Sequence, residues 1–450
     1  MNYLREVTIR RERQPIIYKK INGRFCCYDG FSYGFLDREQ FNEMQKITSD
    51  FVFIKKEKKD KKEKRSMKEI YDTFVHDANF IKEKTNGIIN MYKTGRDSIT
   101  AMYLAYYFLN KNNIVPEEIT YQEYEWLENA KHGALVFCQE KYCGPIFKYD
   151  YNSNYASVYS SNNFLIPIQQ GEFKTISNDE FEALKYYQIG VYHVEIQYPD
   201  NNYKKWKKLF RLNHKNYYTQ IDLTLAKELN LPMTIIIDSQ PNFLFYDRNK
   251  CKTGKQCFGQ FVDYLYPLKL MPEIRGRIKS FLNCLWGALG YERKYTIKQS
   301  KGKHITIFDN KKIKSICPDQ YGNWDHMIIT TINKDHCPYT SNWARIKPFI
   351  LAKCRSKLIK QILPYHEHIR RSHTDSMLSD IPLPIKTSSE LGEFKYEGFC
   401  PTCEIVNNNT VKGQFITDLE HEKYSNDHQY ILLINDYLSK QNELFEQSIL

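Results

Sequence analysis

The period of the apolar positions changes several times along this chain, and the changes mark its elements. Residues 98–110, SITAMYLAYYFLN, read as a buried helix with Ser98 as its N-cap. A second helix is predicted from Pro116 to Ala130. Ahead of them, IIYKKI and RFCCYDG are strand-like pieces of a small N-terminal region, roughly residues 1–66. After them, ALVF and IFKYD read as strands, the second ending at Asp150. Residues 188–240 alternate like a sheet, as in VYHVEIQY and MTIIID. A helix follows over 273–290, then hairpin-like strands through Thr331, then a helix over 343–363. Last comes a strand, the turn SHTDS, and another strand. No internal repeat is present. Strands contributed by distant parts of the chain imply an α+β fold.

A length of 450 residues suits two or three domains, or one multi-lobed enzyme. The hydrophobic share, 42%, is that of a globular protein. A net charge of +12 suits a polyanionic partner such as nucleic acid, or a solvated basic surface. The run from Ile54 to Arg65, IKKEKKDKKEKR, has no apolar face. It reads as a solvated loop or helix end, with a phosphate-binding arm as the alternative. The segment after Met1 lacks the apolar core of a signal peptide, and the longest apolar stretch, Met102 to Leu109, is too short to span a bilayer. The expectation is an intracellular protein without a membrane partner, its 12 cysteines reduced.

Two carboxylates stand at predicted strand ends. Asp150 closes an apolar strand, and Asp375 lies in a predicted hairpin turn. Paired carboxylates hold Mg²⁺ for phosphoryl transfer, in which two ions align the attacking and leaving oxygens. Each alone would more often be a turn cap. Between them in sequence, Arg275, Lys279, Asn283 and Gly287 recur every four residues, so they share a helical face. Ile278, Leu282, Leu285 and Leu289 form a separate apolar stripe. A basic stripe suits a triphosphate, although an amphipathic surface helix would look the same.

Taken together, the three segments resemble the motifs of family B DNA polymerases. Asp150-Tyr-Asn-Ser153-Asn-Tyr155-Ala-Ser157 resembles DxxSLYPS, departing at Asn154 and Ala156. Lys279-Ser-Phe-Leu-Asn283-Cys-Leu-Trp-Gly287 resembles KxxxNxxYG apart from Trp286. His373-Thr374-Asp375-Ser376 resembles DTDS with its first Asp replaced. AKHGALVF, ending at Phe137, resembles the YxGG-type linker, and LGEFKYEG, Leu391 to Gly398, resembles LGxWKxE. The resemblance covers about residues 86–415 and is nearest the viral and linear-plasmid branch, which includes protein-primed members.

The resemblance implies a right-hand fold: N-terminal region 1–85, linker and first palm segment 86–262, fingers 263–293, second palm segment 294–385 and thumb 386–450. It implies template-directed DNA synthesis from dNTPs on a primer–template, with two Mg²⁺ or Mn²⁺ ions. Asp150, Asp375 and the Tyr151 carbonyl would hold the metals. Tyr155 would exclude a 2′-hydroxyl. Lys279, and more weakly Arg275, would contact the triphosphate. Asn283 would support the nucleotide pocket, and Gly287 would let the templating base approach. Ser153, Thr374 and Ser376 would shape turns, and His373 would hydrogen-bond the primer end or a water. Partners would include a terminal-protein primer or replication factors, in a viral factory in the host cytoplasm or in the nucleus.

The departures carry expectations of their own. His373 removes a negative charge beside the metals, and imidazole suits Mg²⁺ poorly. The acidic motifs of a proofreading exonuclease cannot be found in order, so no 3′→5′ exonuclease activity is expected. The KxY element after LGEFKYEG cannot be placed, and a short thumb implies low processivity. These features also fit an inactive polymerase-like scaffold that grips DNA through phosphate contacts. Retention of Asp150, Lys279, Asn283 and Asp375 argues for the enzyme. A primer-making or RNA-templated polymerase fits Tyr155 less well. Cys400 and Cys403 form a CxxC, and Cys251 and Cys257 flank CKTGKQC. Nothing in the spacing links the two pairs, so structural zinc is not expected; Cys138 with Cys143 is a weaker pair still.

Overall fold

The computed structural model describes residues 12–21, 24–46, 51–55, 66–238, 241–300, 308–318 and 322–416. Most of the basic run 54–65 and the end of the chain, 417–450, lie outside the described residues. The chain divides into two compact units. One holds residues 1–115 and 257–288, the other 116–256 and 289–450. These divisions fall elsewhere than the expected boundaries: the helices expected as fingers cluster with the N-terminal residues. The fold class is α+β.

In the first unit, a four-stranded sheet runs in the order Tyr33–Leu36, Arg24–Tyr28, Gln14–Ile21, Phe51–Lys55. Only the last pairing is parallel. Alternation sends neighbouring residues to opposite faces. Ile17, Cys26 and Tyr28 pack with Met67 of the helix Met67–Lys84. Ile16 and Cys27 pack with Phe41 of the helix Arg38–Lys46. None of the four strands contains an aspartate or glutamate.

The buried helix over 98–110 forms as Asp97–Lys111, but Ser98 is not its cap. Arg96 takes that position without a side-chain cap bond, and Asp97 is held instead by Arg277 at 3.0 Å. The helix expected from Pro116 starts only at Tyr121, because the Thr120 hydroxyl caps it by accepting from the Glu123 N–H. Residues 117–118 stay outside the helix because the Glu117 and Glu118 carbonyls accept from buried Arg345.

The second unit is built on a six-stranded antiparallel sheet. Its order is Thr410–Lys412, Phe394–Asn407, Tyr142–Tyr151, Ser376–Ser379, Ile369–His373, Val136–Cys138. Residues 394–412, expected in the thumb, thus form two strands of this sheet, one of them beside the Asp150 strand. A smaller sheet pairs Gly190–Ile196 with Tyr217–Thr219, Phe243–Phe245 and Met233–Ile235. The alternation over 188–240 is interrupted by two helices, Tyr203–Leu209 and Gln220–Glu228. One apolar cluster joins both sheets to the helix Ile346–Ile362, through Phe147, Met377, Tyr192, Phe243, Leu358 and Ile362. The hairpin-like strands form a third, three-stranded sheet over Tyr295–Ser300, Lys311–Pro318 and His326–Asn333.

Two buried arginines belong to this core helix, Arg345 at its N-cap and Arg355 within it. Arg345 meets Glu123 at 2.6 Å, and Arg355 meets Asp222 at 2.7 Å, each pair at 3% exposure or less. Such pairs stabilise little in total, but removing one partner strands the other charge away from water. Among the described residues, no helix is long and apolar enough to cross a membrane.

Candidate active site

Asp150 and Asp375 come together because their strands are neighbours. Ser376 lies directly across from Asp150, and the Tyr151 N–H donates to the Asp375 carbonyl at 3.0 Å. The Asp375 turn is tight. Thr374 adopts φ +65°, a conformation that costs a β-branched residue energy, and its N–H donates to the Leu135 carbonyl at 3.0 Å. The Ser376 hydroxyl and the Asp375 N–H both turn back to the His373 carbonyl, at 3.2 and 2.8 Å. The strand also pairs His373 with Val136. The chain after Asp150 is equally bent: Ser153 sits at φ +55° before the short helix Asn154–Tyr159.

Tyr155, on that helix, is 9% exposed. Burial raises its hydroxyl pKa, so the phenol stays neutral. Asn154, beside it, is 1% exposed, and both its amide atoms lack a hydrogen-bond partner.

The LGEFKYEG segment is stitched to the first carboxylate turn. The Asn152 N–H donates to the Glu393 carbonyl at 2.9 Å, and the Gly392 N–H donates to the Asn152 carbonyl at 2.7 Å. Gly392 has φ +81°, and a Cβ there would meet the Ser157 hydroxyl at 2.5 Å, so glycine is required. Lys357 donates to the Gly392 carbonyl and lies 4.3 Å over the Tyr151 ring. Burial lowers its pKa.

The register also places Lys395 directly opposite Asp150, with Nζ 3.9 Å from the carboxylate. Glu397 binds Lys395, and Lys148 binds Glu397 at 2.9 Å. Burial alone would raise the Glu397 pKa; its bonds to Lys148 and Lys395 hold it below the ordinary value. Sequence reasoning missed this group. Its signal is the LGEFKYEG match itself, whose lysine and glutamate are Lys395 and Glu397.

The oxygen donors of Asp150 and Asp375, with the Tyr151 carbonyl between their strands, suit a hard divalent cation such as Mg²⁺. Among the described residues, no three His, Cys, Asp or Glu side chains converge to hold a metal. A pair of carboxylates is what a cation shared with substrate phosphates requires. Cys400 and Cys403 are both buried in the strand Phe394–Asn407. Cys251 lies in the short strand Cys251–Thr253 and Cys257 in the helix Gly254–Lys269.

The basic stripe belongs to the first unit. It lies on the helix Arg275–Ala288, where Arg275, Lys279 and Asn283 are exposed and Ile278, Leu282 and Leu285 are buried. Leu289, just past the helix end, is buried as well. The helix is oriented by a residue that the motif does not include: Arg277 bonds Asp77 and Asp97, both at 3.0 Å. A Cβ on Gly287 would meet nothing within 4 Å.

The described elements make an α+β architecture. Solved structures that the chain resembles include those of phi29 DNA polymerase. The complex with primer–template DNA matches with TM-score 0.53 at 14% identity, over 89% of this chain and 77% of that one. The ternary complex with primer–template DNA and incoming nucleotides gives 0.52 at 14%, over 90% and 76%. The complex with single-stranded DNA gives 0.52 at 15%, over 89% and 75%. At this identity the likeness establishes the fold. No protein-family model matches the sequence, and a sequence comparison with curated proteins finds no relative.

Proposed function

We propose that the chain is a template-directed DNA polymerase that extends a primer 3′ end with dNTPs and does not proofread. One observation carries this reading: Asp375 stands in the turn that opens the strand paired with Asp150, its carbonyl accepting from the Tyr151 N–H at 3.0 Å. The primer 3′-oxygen forms a bond to the α-phosphorus as the bond to the β-phosphate oxygen breaks, and pyrophosphate leaves. The proton of the 3′-hydroxyl passes to solvent. Two divalent cations, when bound, supply charge stabilisation for the attacking and leaving oxygens. Asp150, Asp375 and the Tyr151 carbonyl hold them. Tyr155 fills the space a 2′-hydroxyl would need. Lys279 and Arg275 pair with the triphosphate, and Lys279 gives a proton to the leaving pyrophosphate. Asn283 supports the nucleotide, and Gly287 leaves room for the templating base. A terminal-protein primer and replication factors fit as partners.

The second reading, an inactive DNA-binding scaffold, is favoured by His373, which stands where the motif has a carboxylate. The test is extension of a labelled primer–template in Mg²⁺ and in Mn²⁺, with Asp375→Ala alongside. Extension that the variant loses supports the polymerase. DNA binding without extension in either metal supports the scaffold.

A further inference from the structure

Resting on the polymerase reading of Asp150, we infer that Lys395 is a built-in cation that withholds this carboxylate from divalent ions. It gives the carboxylate up only when a nucleoside triphosphate arrives with its own cation. The strand register places Lys395 directly across from Asp150, so the two side chains share one face of the sheet. The ammonium lies 3.9 Å from the carboxylate and is anchored on its other side by Glu397, which Lys148 holds in turn. The carboxylates of Asp150 and Glu397 are thus matched by the ammonium groups of Lys395 and Lys148. This balanced row attracts a free divalent ion weakly, and the histidine at 373 adds no carboxylate to it.

Exchange is built into the arrangement. The Lys395 side chain is 35% exposed and that of Asp150 19%, so the ammonium has room to swing away. A triphosphate offers it a new anionic partner in the same event that delivers a cation to Asp150. Lys395 thereby couples occupation of the carboxylates to the presence of nucleotide. It acts through Asp150 and is a positioning residue.

Titration of the full-length protein with Mn²⁺, followed by electron paramagnetic resonance of the free ion, tests this. A unit charge at this distance in a water-like surrounding is worth about 1 kcal/mol, so Lys395→Met should lower half-saturating Mn²⁺ at least about fivefold. Lys395→Arg should leave it near wild type. With primer–template and a non-hydrolysable dNTP present, the three proteins should converge. Lys395→Met binding Mn²⁺ no more tightly than wild type, or keeping its advantage with nucleotide bound, would overturn the inference. Lys395→Gln replaces the methionine variant if circular dichroism shows misfolding. The underlying reading fails separately: it falls if Asp375→Asn leaves Mn²⁺ binding unchanged and wild type extends no primer.

Discussion

Replacing Arg355 by methionine tests whether the buried ion pair beside the linker sets the geometry of the site. The guanidinium donates to Asp222 at 2.7 Å and to the His132 and Gly133 carbonyls, each at 2.9 Å. Methionine fills the volume and removes all three bonds. Removing one partner of a pair buried this deeply costs about 3–5 kcal/mol. The loss should depend on pH. Burial pushes the Asp222 pKa up, but Arg355, with His132 and Thr219, outweighs it and holds the group below the ordinary carboxylate value. In wild type that stability is fully present above the unfolded pKa, about 3.9, and is lost as pH falls through the lower folded value. In Arg355→Met, the largest opposing effect is gone, only the Thr219 bonds and His132 still oppose burial, and the Asp222 pKa rises. The penalty is then full above the raised value and fades as pH falls through it. His132 adds to the trend. Burial, then the Arg355 charge, holds it down to about 4; without Arg355 it rises and protonates 3.9 Å from Asp222. Urea denaturation should therefore show a loss of about 3–5 kcal/mol at pH 8 and a smaller one at pH 5.5. An Asp222→Leu, Arg355→Met double variant should recover much of it. A loss below about 1 kcal/mol at pH 8, or one that does not shrink on acidification, would refute the reasoning. The effect reaches the site because the His132–Gly133 linker leads into Leu135, whose carbonyl holds the Thr374 N–H. Primer extension should fall in the same variant.

Gly287→Ala meets no protein atom within 4 Å and improves helix propensity by up to about 1 kcal/mol, so the protein should be no less stable. Extension should nevertheless fall if the template needs that space; unchanged kcat/KM would remove Gly287 from the site. Asn154→Leu replaces a buried amide without hydrogen-bond partners and should add about 1–3 kcal/mol in urea denaturation. A destabilised Asn154→Leu would mean that the amide makes a bond worth keeping.

The parts of the site that were legible in the sequence are those set by local chemistry. A four-residue repeat dictates one helix face wherever the helix packs, so the exposed stripe of Arg275, Lys279 and Asn283 could be read directly. The apolar runs before Asp150 and around Asp375 fix strands, and the polar SHTDS fixes a turn between them. What the sequence could not give is pairing across long separations. Nothing local to LGEFKYEG says that Lys395 will lie opposite Asp150, 245 positions away; a one-residue slip would turn it to the other face. Arg277 stayed hidden for the same reason, since its partners Asp77 and Asp97 lie some 180 to 200 positions earlier.

The departure at His373 and the pairing of the motif lysine Lys395 with Asp150 then have a common physical meaning. His373 removes a negative charge from the turn that carries Asp375, and Lys395 sets a positive one against Asp150. Both weaken the site's pull on a free cation, and neither displaces the Asp375 turn from its place beside the Asp150 strand. A site on its way to losing catalysis would have no reason to hold Lys395 in place through Glu397 and Lys148, because a stray lysine is better solvated in water. The anchored arrangement fits a carboxylate that is meant to be released, and the nucleotide is the ligand whose charge releases it.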